Sequence, residues 1–547
     1  MRNWRARLVD PAIVAAITLF TALVSQRWTG LDTPDSSFYA SLGLFGDEVT
    51  DRAYDNSYFW TRLGYIVPVR LLTGVLGPWP GFAVYRILLL LIIVIGTYLV
   101  MRRFTCRPSA AFVTLVTSLS TVVLGYLGNP YLTATVMAGT VVLIACAMSD
   151  TKAAAAVAGV TLGWLVMTHP VGTLLAGTIW LALRIQARTR LIPLAVAAGT
   201  AALTFLAFLA AGRLVFPELD WVQTYVASNA RLEYSDFAST DAVWLRDISL
   251  IVPAIVLVIV IVVWATHRHE VPAQRALVLS ATSIGFMLVF SPILGGIPLE
   301  APMYQAMLWP PTLLALGLAT TLGLPADGWN RQQTVAAVAG VLLVIATGFL
   351  SPGLALWAGW VLAIVVGAVF LLSSYKGAMG TIAGLALLLS TAQLLQNSRG
   401  DLGLYYLSPY SNAFNANAIS DKIRTAVNAQ EWLIANTSRE DTILNWVGGD
   451  WFGGDRELYV VAAMQLWGEN RVTLEPVLTD ADLARLDEIR PTVVQMVAPT
   501  TDRVLQFWSS IPTSLRPTAP ECYDFAWPDD EITQGHSCLT RLDWSKS

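Results

Sequence analysis

Apolar residues fill positions 11–396 in long runs that short polar connections interrupt. A helix that crosses a bilayer needs about 20 predominantly apolar residues. Runs of that order lie near 11–28, 83–101, 109–127, 131–148, 153–169, 171–184, 192–211, 248–266, 275–293, 303–322, 334–350, 353–372 and 379–396. The pattern predicts thirteen spans, with only the break at Thr168-His169-Pro170 between the fifth and sixth. No small-residue cleavage site follows the first run, and further spans come after it, so it reads as a span rather than a signal peptide. Beyond residue 396 the pattern changes. Ile419, Ile423, Val427, Trp432 and Leu433 mark an amphipathic helix over 419–436. A strand-like 442–447, a helix over 481–489 and a strand-like 492–498 follow. Helix-then-strand repetition predicts an α/β domain with a small, partly parallel sheet. The expected architecture is a polytopic α-helical membrane domain, 1–396, with a C-terminal extracytoplasmic α/β domain, 397–547.

Composition excludes the alternatives to a membrane protein. Only 13% of the 547 residues are charged and 55% are hydrophobic, against about 25% charged in an ordinary soluble domain. Mean hydropathy is +0.58. That is too little charge to cover the surfaces of three or four soluble domains. The 39 glycines show no period, and four cysteines make no disulfide-dense scaffold. A net charge of −4 gives no sign of a nucleic-acid partner.

Charge then orients the chain. With a cytoplasmic N-terminus, the inner segments hold 14 Lys and Arg residues against four acids, Asp10, Asp150, Glu270 and Asp327. The short outer connections around Asn129, His169, Gly295 and Pro352 hold no Lys or Arg. This is the positive-inside pattern of a multi-pass plasma-membrane protein. An odd number of spans puts the C-terminal domain outside the cytoplasm. Two long outer loops, about 29–81 and 212–247, carry six acids each. Cys522 and Cys538 both fall in the outer tail, where an oxidising compartment favours a disulfide. Cys106 and Cys146 lie in or beside membrane helices.

The candidate chemistry sits at the outer membrane edge. Asp32 and Asp35 stand three residues apart just after the first span, in Leu31-Asp32-Thr33-Pro34-Asp35-Ser36-Ser37-Phe38-Tyr39-Ala40. Pro34 can open a helix. Asp35 in its first turn would be favoured as a carboxylate by the helix dipole, and an ionised carboxylate beside a pocket can serve as general base. Asp35 reads equally well as an N-cap, and Asp32 as a cap or supporting group. The two could also hold a divalent cation, although an exposed pair needs none. Arg62, within Tyr58-Phe59-Trp60-Thr61-Arg62-Leu63-Gly64-Tyr65, and Arg246, Arg213 and Arg231 of the second loop are phosphate candidates. The competing reading is that they snorkel to headgroups. His169 lies at an outer helix end, as a structural group or a hydrogen-bond donor. Glu300 is the one acid of a short outer connection and a weak acceptor or metal candidate. Trp451, in Gly448-Gly449-Asp450-Trp451-Phe452-Gly453-Gly454-Asp455, could stack on a sugar or simply pack in a turn. His267 and His269 fall on the cytoplasmic side.

The acidic motif after helix one, the long outer loop and the outer C-terminal domain together resemble the GT-C superfamily of glycosyltransferases. Asp35-Ser36-Ser37-Phe38-Tyr39 is similar to the Asp-Glu-x-x-Tyr form of protein mannosyltransferases and aminoarabinose transferases, with Ser36 in place of the second acid. Thr168-His169-Pro170-Val171-Gly172 resembles a polar-Pro-Gly break of several members. The stretch from Pro302-Met303-Tyr304 to Trp309-Pro310 resembles the Tyr-to-Pro entry of a later helix. The resemblance implies an inverting transfer from a polyprenyl-phosphate sugar to a glycan, glycolipid or protein outside the cytoplasm. Such chemistry needs a base, for which Asp35 is the candidate, and groups around the donor, for which Tyr39, Arg62, His169, Arg246 and Tyr304 are the candidates. Residue usage rich in Ala, Val, Arg and Trp and poor in Lys is that of a GC-rich genome, which points within the superfamily to actinobacterial mannosyl- or arabinofuranosyltransferases. The alternatives are a transporter or flippase of lipid-linked saccharides, which should show internal repeats and broken mid-membrane helices, and a membrane anchor for an outer binding domain.

Overall fold

The structure is a computed structural model. It describes residues 4–25, 39, 61–129, 131–188, 191–215, 248–293, 302–325, 327–348, 377–397, 432–433, 435–438, 441–447, 470–471, 478–498, 500–515, 519–526 and 534–546. The chain divides into two compact units. The first comprises Met1–Thr29 with Trp60–Asn412, the second Gly30–Phe59 with Ala413–Ser547.

The first unit is helical. Its helices are α1 (Trp4–Val24), α2 (Leu63–Leu76), α3 (Pro78–Arg102), α4 (Arg107–Ser118), α5 (Thr121–Gly128), α6 (Thr133–Ala147), α7 (Lys152–Val166), α8 (Pro170–Gln186), α9 (Leu191–Val215), α10 (Ile248–Thr266) and α11 (Val271–Ile293). Then come α12 (Pro302–Gln305), a 3-10 turn (Ala306–Leu308), α13 (Trp309–Thr321), α14 (Arg331–Gly348) and α15 (Ala378–Asn397). Every expected apolar segment contains helix except 353–372, which lies outside the described residues. Length and apolarity by themselves qualify four described helices as membrane spans, those within α3, α9, α11 and α14. The others are shorter apolar rods.

Two features depart from the sequence pattern. The run 109–127 is not one rod: α4 and α5 meet at a 57° bend at Leu119-Ser120. The loop 29–81 contains a helix, α2, which is too short to signal a span. Leu63, Tyr65, Ile66, Val67 and Val69 are buried on it, whereas Leu71 and Val75 are exposed. It turns into α3 through Gly77, whose φ of +86° suits a residue without Cβ.

Prolines start the helices. Pro78, Pro108, Pro170 and Pro310 occupy first-turn positions of α3, α4, α8 and α13, where a missing N–H costs nothing. Small residues then let the rods touch. A Cβ on Gly159 would lie 2.2 Å from the Ala197 carbonyl oxygen, and one on Gly163 2.5 Å from that of Ala201. This small-residue seam brings α7 and α9 into backbone contact.

One end of the bundle gathers the charged connections. The Arg107 side chain donates to Asp10 at 2.7 Å, and the Tyr98 hydroxyl does so at 2.8 Å. Arg184 is buried, pairs with Asp150 at 2.9 Å and donates to the Ser149 carbonyl, while Arg275 donates to the Leu183 carbonyl. The helix ends near residues 10, 102–107, 149–150, 184 and 275 therefore share this end, as alternating rods with basic connections require.

The second unit carries a five-stranded sheet, ordered β2-β1-β3-β5-β4, from β1 (Ile443–Val447), β2 (Asn470–Arg471), β3 (Val493–Ala498), β4 (Glu521–Ala526) and β5 (Gln534–Arg541). β2, β1 and β3 are parallel, while β3, β5 and β4 are antiparallel. α16 (Asp480–Ile489) and α17 (Thr501–Ser510) cover the face formed by Leu444, Trp446, Val494, Met496 and Cys538. Trp446 stacks on Phe507 with centroids 4.1 Å apart. Cys522 and Cys538 face each other across β4 and β5 and are joined by a disulfide. Trp432 stacks on Tyr523, with ring centroids 5.9 Å apart. Asp441 links the strand ends: it accepts from the Ser438 N–H at 2.8 Å, the Thr492 hydroxyl at 3.0 Å and Arg541 at 2.9 Å.

Candidate functional site

The opposite end of the helical unit collects buried polar side chains around the start of α6. Arg62 occupies the N-cap position of α2 and is 6% exposed. Its position follows from how α2 docks. The Gly64 N–H donates to the Met167 carbonyl at 2.8 Å, and the Trp164 indole N–H donates to the Gly64 carbonyl at 2.6 Å. A Cβ on Gly64 would stand 2.6 Å from the Trp164 carbonyl oxygen, so glycine is what allows this approach. One turn on, the Tyr65 ring meets that of Tyr85 edge-to-face at 5.6 Å, and the Tyr85 hydroxyl bonds the Thr135 hydroxyl of α6 at 2.8 Å.

His169 is 3% exposed and caps α8. The Gly172 N–H donates to its Nδ1 at 3.1 Å. A ring nitrogen that accepts carries no proton, so in the neutral ring the proton sits on Nε2, which becomes a donor. Gly172 lies against Val136 of α6, where a Cβ would be 2.7 Å from a Val136 methyl. Tyr304 of α12 packs its ring edge-to-face on His169, with centroids 5.1 Å apart. Arg62 reaches the same end of the bundle as His169 because the Gly64 N–H, two residues on, is bonded to the Met167 carbonyl, two residues before His169. The fold thus brings to one end of the bundle Arg62, His169 and Tyr304, which the sequence scatters over 243 positions.

The remaining predicted site residues divide differently. Tyr39 is described and buried. Asp32, Asp35, Arg246, Glu300 and Trp451 lie outside the described residues, as does Arg231. Arg213 is exposed at the end of α9, and His267 and His269 are exposed beyond α10. Among the described residues, no group of three or more His, Cys, Asp or Glu side chains could hold a metal ion.

Sequence reasoning passed over Arg86. It sits in the apolar run of α3, is 5% exposed and donates to the Ser25 hydroxyl just past the end of α1. The signal was available, because an arginine inside a membrane-length apolar run is a functional suspect by default. Gln305, fully buried beside Tyr304, gave no such signal.

Sequence comparison matches the chain to no family model and to no curated protein. Solved structures do match. ArnT from Cupriavidus metallidurans, bound to undecaprenyl phosphate, superposes with a TM-score of 0.53 at 14% identity, covering 100% of this chain and 99% of ArnT. The mycobacterial arabinofuranosyltransferase AftD superposes with a TM-score of 0.54 at 13% identity, covering 99% of this chain and 40% of AftD. At such identity the likeness is one of fold: this chain shares the fold of ArnT and of the matching part of AftD.

Proposed function

We propose that this GT-C-fold protein is an inverting glycosyltransferase, moving a sugar from a polyprenyl-phosphate donor to a cell-envelope glycan or glycolipid on the extracytoplasmic side of the plasma membrane. The observation that carries the reading is the buried Arg62–His169–Tyr304 cluster at one end of an apolar bundle. A guanidinium and an imidazole N–H donor, held out of water, suit the phosphate of a lipid that arrives through the membrane. Stabilising the charge that develops on a leaving group is usually the largest catalytic contribution, and a dry site strengthens it.

In this reading Asp35 takes the proton from the acceptor hydroxyl. The hydroxyl oxygen attacks the anomeric carbon, the bond from that carbon to the phosphate oxygen breaks, and polyprenyl phosphate leaves with the electron pair. Arg62 and the His169 Nε2–H bind that phosphate, and Arg246 adds a second cation. Tyr304 and, by the sequence motif, Tyr39 are the further donor-binding candidates, and Asp32, Glu300 and Trp451 the supporting or acceptor-binding candidates. The 14 basic residues of the inner segments against the acid-rich outer loops support the sidedness.

The test uses the full-length protein in lipid, with polyprenyl-phosphate-linked mannose and arabinofuranose as donors. General-base catalysis contributes about 10²–10⁴-fold, so Asp35→Asn should lose transfer by that order while donor binding persists. Transfer at the wild-type rate would sink Asp35 as base. A wild-type protein that carries intact lipid-linked sugar across the bilayer and transfers none would make it a transporter.

A further inference from the structure

We propose that Asn129 and Trp309 form the sugar-reading part of the donor pocket, hydrogen-bonding the hydroxyls of the transferred ring. This rests on the glycosyltransferase reading above. Asn129 follows the last residue of α5, and its backbone is satisfied: its N–H donates to the Gly125 carbonyl at 3.1 Å, and its carbonyl accepts from Tyr131 at 2.8 Å. Its side chain is not satisfied. Asn129 is 2% exposed, and neither Oδ1 nor Nδ2 has a hydrogen-bond partner among the described residues. Trp309, the first residue of α13, is also 2% exposed, and its indole Nε1–H has no partner among them either.

Most buried polar side-chain atoms in folded proteins are hydrogen-bonded, and each one left unmet destabilises the fold. Two such groups at one end of one bundle therefore point to a ligand. They do share an end. The 3-10 turn before Trp309 packs against α6, α13 packs against both α5 and α6, and Asn129 stands between α5 and α6. This is the end where Gly172 and Val136 join His169 to α6, and where Tyr304 meets His169.

The donor set names the chemistry. A primary amide offers one acceptor and one donor side by side, which matches adjacent hydroxyls. The indole adds a third polar contact, an N–H donor, on an otherwise apolar body. A phosphate would call for cations, and an isoprenoid tail for neither group. Burial inside the helical unit selects the donor's sugar, which enters on its lipid, over an acceptor that arrives from water. The arrangement also has a thermodynamic signature. Unmet polar groups kept for a ligand destabilise the free protein, so replacing them should not loosen the fold.

The experiment uses the full-length protein in nanodiscs, as wild type, Asn129→Ala and Trp309→Phe. Thermal unfolding is followed without ligand, with polyprenyl phosphate alone, and with polyprenyl-phosphate-linked mannose or arabinofuranose; transfer is measured from the same donors. Both variants should keep or raise the ligand-free Tm and keep the shift given by polyprenyl phosphate. They should lose the additional shift given by the sugar and transfer it about 2- to 10-fold more slowly, the equivalent of one net buried hydrogen bond. A sugar-dependent shift and a transfer rate equal to wild type would mean that the groups hold ordered water only, and would overturn the proposal. So would a lower ligand-free Tm together with loss of the polyprenyl-phosphate shift, because that marks packing residues. A sugar-dependent shift in the wild type without transfer would remove the glycosyltransferase reading and leave the sugar site standing. Absence of that shift with both donors would overturn the site itself.

Discussion

Asp441 shows how one carboxylate can decide the ends of three strands. It lies just before β1, accepts from Thr492 just before β3, and pairs with Arg541 at the end of β5. Burial pushes its carboxyl up, but the Arg541 side chain, the Ser438 N–H and the Thr492 hydroxyl together outweigh that and hold it below the ordinary carboxylate value. A depressed carboxyl contributes stability that is complete above the unfolded-state value, about pH 4, and is lost as pH falls through the folded-state value. Asp441→Asn should therefore lower the Tm at neutral pH, and the gap to wild type should close below about pH 4. Tryptophan fluorescence on acid titration follows this; a gap constant down to pH 2 would show that the carboxylate's charge is not what matters. At this scale the sequence exposed His169 through its helix break and Arg62 through its aromatic surroundings. It did not expose Asp441, whose partners are 51 and 100 residues away.

The element that most governs the site is α2. It is short, apolar and invisible to a search for membrane-length runs, yet it sets Arg62 in place through the backbone bonds of Gly64. Adding a methyl at Gly64 drives a Cβ into the Trp164 carbonyl and the Met167 backbone. Overpacking of that kind costs typically about 1–3 kcal/mol. Gly64→Ala should lower the Tm accordingly and reduce sugar transfer, because Arg62 moves with the helix start. Gly74 is the internal control. A Cβ there meets nothing within 4 Å, so Gly74→Ala should leave transfer unchanged and stabilise the helix by about 0.5–1 kcal/mol. Equal effects of the two substitutions on Tm and transfer would contradict the docking argument. The bend between α4 and α5 was likewise hidden, since an apolar run has the same hydropathy straight or kinked.

Across the whole molecule, the charged connections gather at one end of the bundle and the buried polar cluster at the other. That segregation ties sidedness to a simple measurement. If the second unit faces an oxidising compartment, Cys522 and Cys538 should be disulfide-bonded in intact cells, while Cys106 and Cys146 stay as thiols. Alkylation before and after reduction, read by mass spectrometry, should protect only the first pair. Free thiols at 522 and 538 in cells would place that unit in the cytoplasm and reverse the orientation. The sequence by itself determined the membrane character, the positions of most apolar rods and, in the tail, the strand at 443–447, the helix at 480–489 and the strand at 493–498, because these depend on local hydropathy and period. It also offered the GT-C resemblance that the superpositions bear out at the level of fold. Only the tertiary structure decided which polar residues meet. Arg62, His169, Tyr304, Asn129 and Trp309 become neighbours of one helix start through glycine contacts and ring packing between distant elements, and such contacts leave no periodic trace along the chain.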